Sequence, residues 1–306
     1  MRANEFKLLV PHPRPPTPDI QDAFKAHPEL HDICGRVLGA VSQAGLSNRV
    51  YRLETDRGAF FLRLPRAETA GMVDRDDEAD NIKCAADIGV ALRPLFCEPA
   101  AGLLLTRAVD TVSAAPEVMA TRLGNVLGTL HASTKTFRGA LDPDKVIDAQ
   151  KRTLVADGRT GADVAELENV LRAMRSLEGT RSGGPAVPSH GDPSPGNCLM
   201  TSDRLWLIDW EYSAMAEPAW DLAYASLEHG FSVAEEGCFL KAYRHSAGDL
   251  LCPSPREFDV MKAKCDVVSA LWGLEQLRQG SDKTDFLAFA RARRDRALAT
   301  ARRITG

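Results

Sequence analysis

Strand signals and helix signals are segregated along this chain, and that separation constrains the fold more than any other feature. Residues 37–41, 49–54 and 59–64 are short runs rich in β-branched, aromatic and apolar side chains. Gly45 and the turn Asp56-Arg57-Gly58 separate them, which predicts an antiparallel meander of three strands. A helix is expected over 74–88, acidic at its start and stopped by Gly89. Residues 92–97 and 102–106 add two strands. Beyond Pro116 the spacing becomes helical: apolar residues at 119, 123, 126, 127 and 130 predict a helix over 118–131. Further helices are expected over 144–156, 163–177, 218–229, 233–245, 255–279 and 285–303. In this half only 198–200 and 205–208 read as strands, a hairpin turning at Ser202-Asp203. Strands first and helices afterwards mean an α+β chain.

The expected divisions follow. Residues 1–18, with five prolines between positions 11 and 18, read as an arm or disordered tail. Residues 19–108 form a small lobe, opened by a short helix over 19–27 with Asp19 as N-cap and Pro28 as stop. Residues 109–306 form the helical lobe. A chain of 306 residues with 44% hydrophobic side chains can bury a core in each. The net charge of −4 supplies no global field for nucleic acid or an anionic membrane. No apolar run reaches membrane-spanning length, and Met1 to Pro18 lacks the apolar stretch of a secretion signal. Seven scattered cysteines, without a C-x-x-C, argue against disulfides or zinc and for a reducing, cytoplasmic setting. Cys198 adjoins the loop discussed next; it reads as a small residue starting a buried strand, with a reactive thiol as the alternative.

His190-Gly191-Asp192-Pro193-Ser194-Pro195-Gly196-Asn197 places a carboxylate and an amide five positions apart in a Pro-stiffened loop. Phosphoryl transfer to an alcohol needs a carboxylate to accept the hydroxyl proton and oxygen ligands for Mg²⁺. Asp192 suits the first role and Asn197 a metal position; protein kinases use H-R-D-x-x-x-x-N with the same Asp-to-Asn spacing. Asp209, at the end of the apolar run Leu205 to Ile208, is the expected second Mg²⁺ ligand. Singly, each of these residues also reads as a turn cap; the joint pattern is what points to a kinase.

In the strand region, Gly45-Leu46-Ser47-Asn48 connects the first two strands, where backbone N–H groups and the Ser47 hydroxyl would face nucleotide phosphates; a plain hairpin turn is the alternative. Arg63 lies inside the apolar run Phe60 to Leu64 and needs an anionic partner, for which Glu78 is the candidate. The alternative is an Arg63 facing solvent on an edge strand.

Together these residues resemble the aminoglycoside phosphotransferase and choline kinase superfamily, and within it the bacterial choline/ethanolamine kinase branch. The resemblance runs over about residues 36–280. Gly45 to Tyr51, Leu62-Arg63-Leu64-Pro65, Arg75-x-x-Glu78-x-x-Asn81, Asp209 to Ser213 and Pro218 to Ala223 carry it. It implies a bilobal protein-kinase-like fold, with a small antiparallel sheet lobe bearing one helix and a larger helical lobe. ATP and Mg²⁺ are the implied cofactors. Asp192 is the implied base, Asn197 and Asp209 the metal ligands, and Ser47, Asn48, Arg63 and Glu78 the nucleotide contacts.

A choline-like acceptor has a cationic head without a donor, best held over aromatic faces with carboxylates nearby. Seven of the eight Trp and Tyr residues lie between 206 and 272. At least about half are expected to be core, Trp206 and Trp220 foremost. Glu211, Tyr212, Glu228 and Trp272 are the candidate acceptor contacts; Glu228 also reads as a solvated helix face. Asp221 is a candidate to attract the cation or to hold the loop through a helix-terminus hydrogen bond. The expected partner is thus a small cationic alcohol substrate, choline or ethanolamine first. An aminoglycoside-type phosphotransferase and a nucleotide-binding pseudokinase stay open, as does the oligomeric state.

Overall fold

The computed structural model describes residues 14–43, 48–65, 73–155, 161–175, 184–281 and 284–305. The chain divides into two compact units, Met1–Thr111 and Val112–Gly306.

In the first unit, α1 (Pro18–Ala26) and α2 (Glu29–Cys34) precede β1 (Val37–Gln43), β2 (Asn48–Thr55) and β3 (Gly58–Pro65). Then come α3 (Arg75–Ile88), β4 (Pro94–Glu98) and β5 (Leu103–Arg107). The strands form one sheet, ordered β1-β2-β3-β5-β4, with every neighbouring pair antiparallel. Thr55 closes the turn between β2 and β3: its hydroxyl donates to the Gly58 carbonyl at 2.8 Å and accepts from Arg57 N at 3.1 Å. Alternation along the strands puts Leu53, Phe60, Leu62 and Leu105 in one core with Ile20, Phe24 and Leu30 from the first two helices. Asp74 caps α3 by accepting from Asp76 N and Asp77 N, and Gly89 ends it in a left-handed turn.

Three expectations for this unit change. Helix α2 was not anticipated; six residues are too few to show a helical period. Asp19 is not the cap of α1: Pro18 takes the first helical position, which suits its fixed φ, and Thr17 precedes it. The Asp19 carboxylate instead accepts from Arg49 at 2.9 Å and Tyr51 at 2.7 Å, tying α1 to β2. The end of the proline-rich arm is also engaged, because Arg14 exchanges two backbone hydrogen bonds with Ala40 of β1.

The second unit contains α4 (Pro116–His131), α5 (Pro143–Val155), α6 (Gly161–Arg175), α7 (Pro218–Glu228), α8 (Val233–Ala247), α9 (Pro255–Arg278) and α10 (Phe286–Thr305). Ser232 with Glu235, and Ser254 with Glu257, form capping boxes that start α8 and α9. Helix α4 lies tight on α8; a Cβ on Gly124 would sit 2.3 Å from the Phe239 carbonyl oxygen. Leu154, Leu167, Val267, Leu271 and Ala297 join α5, α6, α9 and α10 in one core. Two small antiparallel pairs complete the unit: β7 (Cys198–Met200) with β8 (Leu205–Leu207), as expected, and β6 (Val187–Ser189) with β9 (Ala214–Ala216), which was not. Among the described residues no helix is long and apolar enough to cross a membrane.

Candidate active site

The loop that leaves β6 folds back on itself at once. Gly191 has φ of 86°, and a Cβ there would lie 2.2 Å from the Tyr212 carbonyl oxygen, so both the turn and the close approach demand glycine. Pro195 to Asn197 make one 3₁₀ turn, with Asn197 N donating to the Ser194 carbonyl at 2.9 Å. The Asn197 amide then donates to both the Asp192 carbonyl and the Asp192 carboxylate, each at 3.0 Å. The five-residue spacing is therefore a hydrogen-bonded ring. Because Nδ2 is committed to Asp192, the amide oxygen of Asn197 turns away from it.

Asp209 arrives beside this ring through the β7–β8 ladder. Cys198 pairs with Leu207, and Ile208 N donates to the Asn197 carbonyl at 3.0 Å, so Asp209 is the next residue out. Its φ of 63° is the sole positive value at a non-glycine among the described residues. An Asp in the left-handed region costs on the order of 1 kcal/mol, a strain that tends to persist where a side chain must be aimed.

A buried network holds the loop from behind. Asp221, fully buried on the first turn of α7, accepts from His190 N at 2.7 Å and from Gly191 N at 2.9 Å. His131 at the end of α4 touches the same carboxylate at 3.1 Å and the Tyr243 hydroxyl at 3.0 Å. Burial alone would push the Asp221 carboxyl up, but these partners outweigh it and the carboxyl stays below its ordinary value, ionised. Of the two roles considered for Asp221, the geometry shows the loop anchor. Trp220 donates its indole N–H to the Gly191 carbonyl at 2.9 Å, and the His190 ring lies edge-on to Trp210.

Asp192 itself sits in the opposite environment. Burial, reinforced by the Glu228 and Glu211 charges, pushes its carboxyl up to about 7 against the pull of Ser194 and Asn197. Its Oδ1 is buried with no hydrogen-bond partner among the described residues. A carboxyl poised near neutral pH with one oxygen unclaimed is suited to accept a proton. Cys198 starts β7 buried, its thiol pushed far up by that burial, which is the inert reading.

In the first unit, Arg63 on β3 and Glu78 on α3 are both buried and pair through two hydrogen bonds, one of them 2.9 Å. Strand β3 is internal to the sheet, which removes the edge-strand alternative. Arg75 adds a second guanidinium to Glu78 at 2.8 Å and reaches the side-chain oxygen of buried Asn48 at 3.2 Å. Although Glu78 is buried, these guanidinium partners hold its carboxyl below the ordinary value. Ser47 lies outside the described residues.

Residues 40–261 match the phosphotransferase enzyme family. The chain belongs to that family. Among solved structures it is similar to choline kinase LicA from Streptococcus pneumoniae: TM-score 0.74, 24% identity, 92% of this chain and 98% of that one. LicA has also been crystallised in complex with AMP. A choline/ethanolamine kinase family protein from Mesorhizobium loti gives TM-score 0.71 at 28% identity, over 92% of this chain and 94% of that one. Protein LicA of Haemophilus influenzae is 23% identical over 237 residues, 73% of this chain and 68% of the relative.

For a phosphotransferase the donor set matters. Among the described residues no three His, Cys, Asp or Glu side chains cluster as a metal cage. Asn197 and Asp209 nevertheless offer an amide oxygen and a carboxylate from adjacent backbone positions. Mg²⁺ favours such hard oxygens and takes few protein ligands when phosphates supply the rest, so these residues fit it.

The acceptor candidates are placed unevenly. Tyr212 is 48% exposed and packs its backbone over Gly191. Glu211 and Glu228 both act electrostatically on Asp192. Glu228 is not a solvated helix face, because Arg293 of α10 grips both its oxygens at 2.7 and 2.8 Å. Trp272 on α9 is half-buried, edge-on to Phe286 and Phe289 at 5.6 and 5.9 Å. Of the seven aromatics, Trp210, Trp220 and Tyr243 are buried, fewer than expected. Trp206 is not core: it faces outward on β8 under the Arg204 guanidinium, 5.0 Å from the ring. Sequence reasoning missed His131 and Arg293 altogether, named Arg75 only as part of a motif, and counted Tyr224 only among the seven aromatics. Arg75 had a signal, three positions before Glu78; His131 and Arg293 lie 90 and 65 positions from their partners and had none.

Proposed function

We propose that this phosphotransferase is an ATP-dependent kinase of a small amino alcohol, with choline or ethanolamine as acceptor. The observation that carries the reading is the ring in which Asn197 holds Asp192, with Asp209 delivered alongside by one hairpin. The similarity to choline kinase LicA and to the choline/ethanolamine kinase family protein supports the acceptor class. The LicA complex with AMP supports an adenine nucleotide as donor.

In this reading the acceptor hydroxyl gives its proton to Asp192 as its oxygen bonds to the γ-phosphorus of ATP, and ADP departs. Asn197 and Asp209 would hold Mg²⁺, which when bound neutralises phosphate charge. Arg63, kept in place by Glu78, would contact the phosphates, with Asn48 at the start of β2 and Ser47 as the further proposed contacts. The charges on Glu211 and Glu228 keep Asp192 basic and favour a cationic acceptor. Asp221 keeps the loop backbone from relaxing during the transfer.

The test is ATP consumption with Mg²⁺ against choline, ethanolamine, an aminoglycoside and a methylated sugar. Stoichiometric ADP and phosphorylated choline or ethanolamine are expected. Turnover confined to the aminoglycoside or the sugar would overturn the acceptor class, and ATP binding without any turnover would favour a scaffold.

A further inference from the structure

Helix α7 holds the catalytic loop at its first turn, where Asp221 and Trp220 bond to the backbone of His190 and Gly191. Its other end reaches the loop as well. The helix stops in a Schellman motif: Gly230, with φ of 61°, turns the chain. Gly230 N donates to the Leu227 carbonyl at 3.3 Å, and Phe231 N to the Ser226 carbonyl at 3.2 Å. His229 is the residue before that turn, its own backbone N–H bonded to the Ala225 carbonyl at 3.0 Å. The ring is fixed along with the backbone. It stacks on Phe231, centroids 5.2 Å apart and planes 30° apart. Phe231 in turn rests on fully buried Phe239 of α8, centroids 5.4 Å apart.

Two contacts place this ring against the loop. Its Nε2 lies 3.8 Å from the Cys198 Sγ, and the ring also hydrogen-bonds the Pro193 carbonyl. Pro193 directly follows Asp192, and Cys198 directly follows Asn197. His229 therefore touches the next residue after each member of the pair that the Asn197 amide closes into a ring. Pro193 has no N–H, so its carbonyl is the one backbone group by which that residue can be held. Burial pushes the imidazole down to about 4, so near neutral pH the ring is uncharged and brings the loop a donor without a charge.

We infer that His229 is a positioning residue for phosphoryl transfer: it pins Pro193 and Cys198 and thereby sets the aim of the Asp192 carboxylate and the Asn197 amide. This rests on the roles given to Asp192 and Asn197 in the proposed function. Helix α7 then clamps the loop from both ends, with Asp221 holding the residues before Asp192 and His229 those after it. The two anchors are about two turns apart on one helix, so they are fixed relative to each other. A base that must meet a hydroxyl at hydrogen-bond distance loses rate when its aim drifts, even if the substrates still bind.

The experiment is steady-state kinetics and thermal unfolding of His229→Leu and His229→Gln, with Asp192→Asn in the same assay, on whichever of the four acceptors above the wild type phosphorylates fastest. Leucine fills the space without a donor, whereas glutamine keeps an N–H for the Pro193 carbonyl. The expected result for His229→Leu is a fall of about five- to tenfold in kcat, with both KM values and the thermal midpoint unchanged. His229→Gln should restore kcat to within about twofold of the wild type. An unchanged kcat in His229→Leu would overturn the inference, as would equal losses in the two variants or a loss carried by either KM. A His229→Leu protein that does not fold, or whose loss follows a lowered midpoint, would make His229 a packing residue and overturn it too. Wild-type transfer in Asp192→Asn, or a wild type that turns over none of the four acceptors, would instead overturn the proposed function, and this inference with it.

Discussion

Glu78 and Asp192 are both buried carboxyls, and the chain treats them oppositely. Glu78 receives two guanidinium groups, and its carboxyl is held below the usual range. Asp192 receives an amide and neighbouring negative charge, and burial pushes it up to about 7. Burial disfavours the ionised form at both positions; the partners decide the outcome. The first arrangement fixes a permanent anion that positions arginines. The second leaves a carboxyl that can take a proton near neutral pH, as the proposed transfer to an alcohol would require.

That contrast can be broken from either side. On the Asp192 side, the largest effect short of altering the base itself falls on its anchor. Asp221→Asn leaves one loop N–H facing an amide N–H, and is expected to lower kcat by about 10- to 100-fold. Stopped assays at saturating ATP check it, and an unaltered kcat would mean that the loop is held without Asp221. On the Glu78 side, Arg63→Met leaves a buried carboxylate short of a partner. Affinity for ATP should fall by on the order of tenfold, with stability falling by about 3 kcal/mol. Calorimetric titration and urea midpoints report the two; full ATP affinity would remove Arg63 from the nucleotide site.

These two sites were unequally legible. Asp192, Asn197, Arg63 and Glu78 could be read because their partners are near in sequence, or because a cation in an apolar strand announces a missing anion. The supports of the loop could not be read. Strands β6 and β9 have three residues each, one interrupted by Pro188, too short for alternation to register. His131 and Asp221 meet across 90 residues, a distance over which spacing carries no information. Asp19 and Trp206 were misplaced for local reasons: a proline at the first helical position moved the cap, and a neighbouring arginine stabilised an outward-facing ring.

Two smaller effects sharpen the comparison through pH. Because Glu78 is depressed in the folded protein, its contribution to stability is present above its unfolded value near 4.5 and is lost as pH falls through the lower folded value. The difference in urea midpoint between the wild type and Glu78→Gln should therefore shrink below pH 4.5; a constant difference would show that Glu78 is not depressed. Asp192 is shifted in the opposite direction, upward, so its base form is lost as soon as pH falls through about 7. The acid limb of kcat/KM is expected there in the wild type. It should move down by a few tenths of a pH unit in Glu211→Gln, because one of the charges raising it is gone. A limb that stays in place would exclude Glu211 from the environment of the base.

The most direct measurement compares phosphoryl transfer and ATP binding in Asp192→Asn with the wild type, using choline and ethanolamine. Asparagine keeps the shape and the ring with Asn197 but cannot accept the proton. The account predicts a transfer rate lower by about 1000-fold, with ATP affinity within about twofold of the wild type. Transfer at the wild-type rate would contradict it.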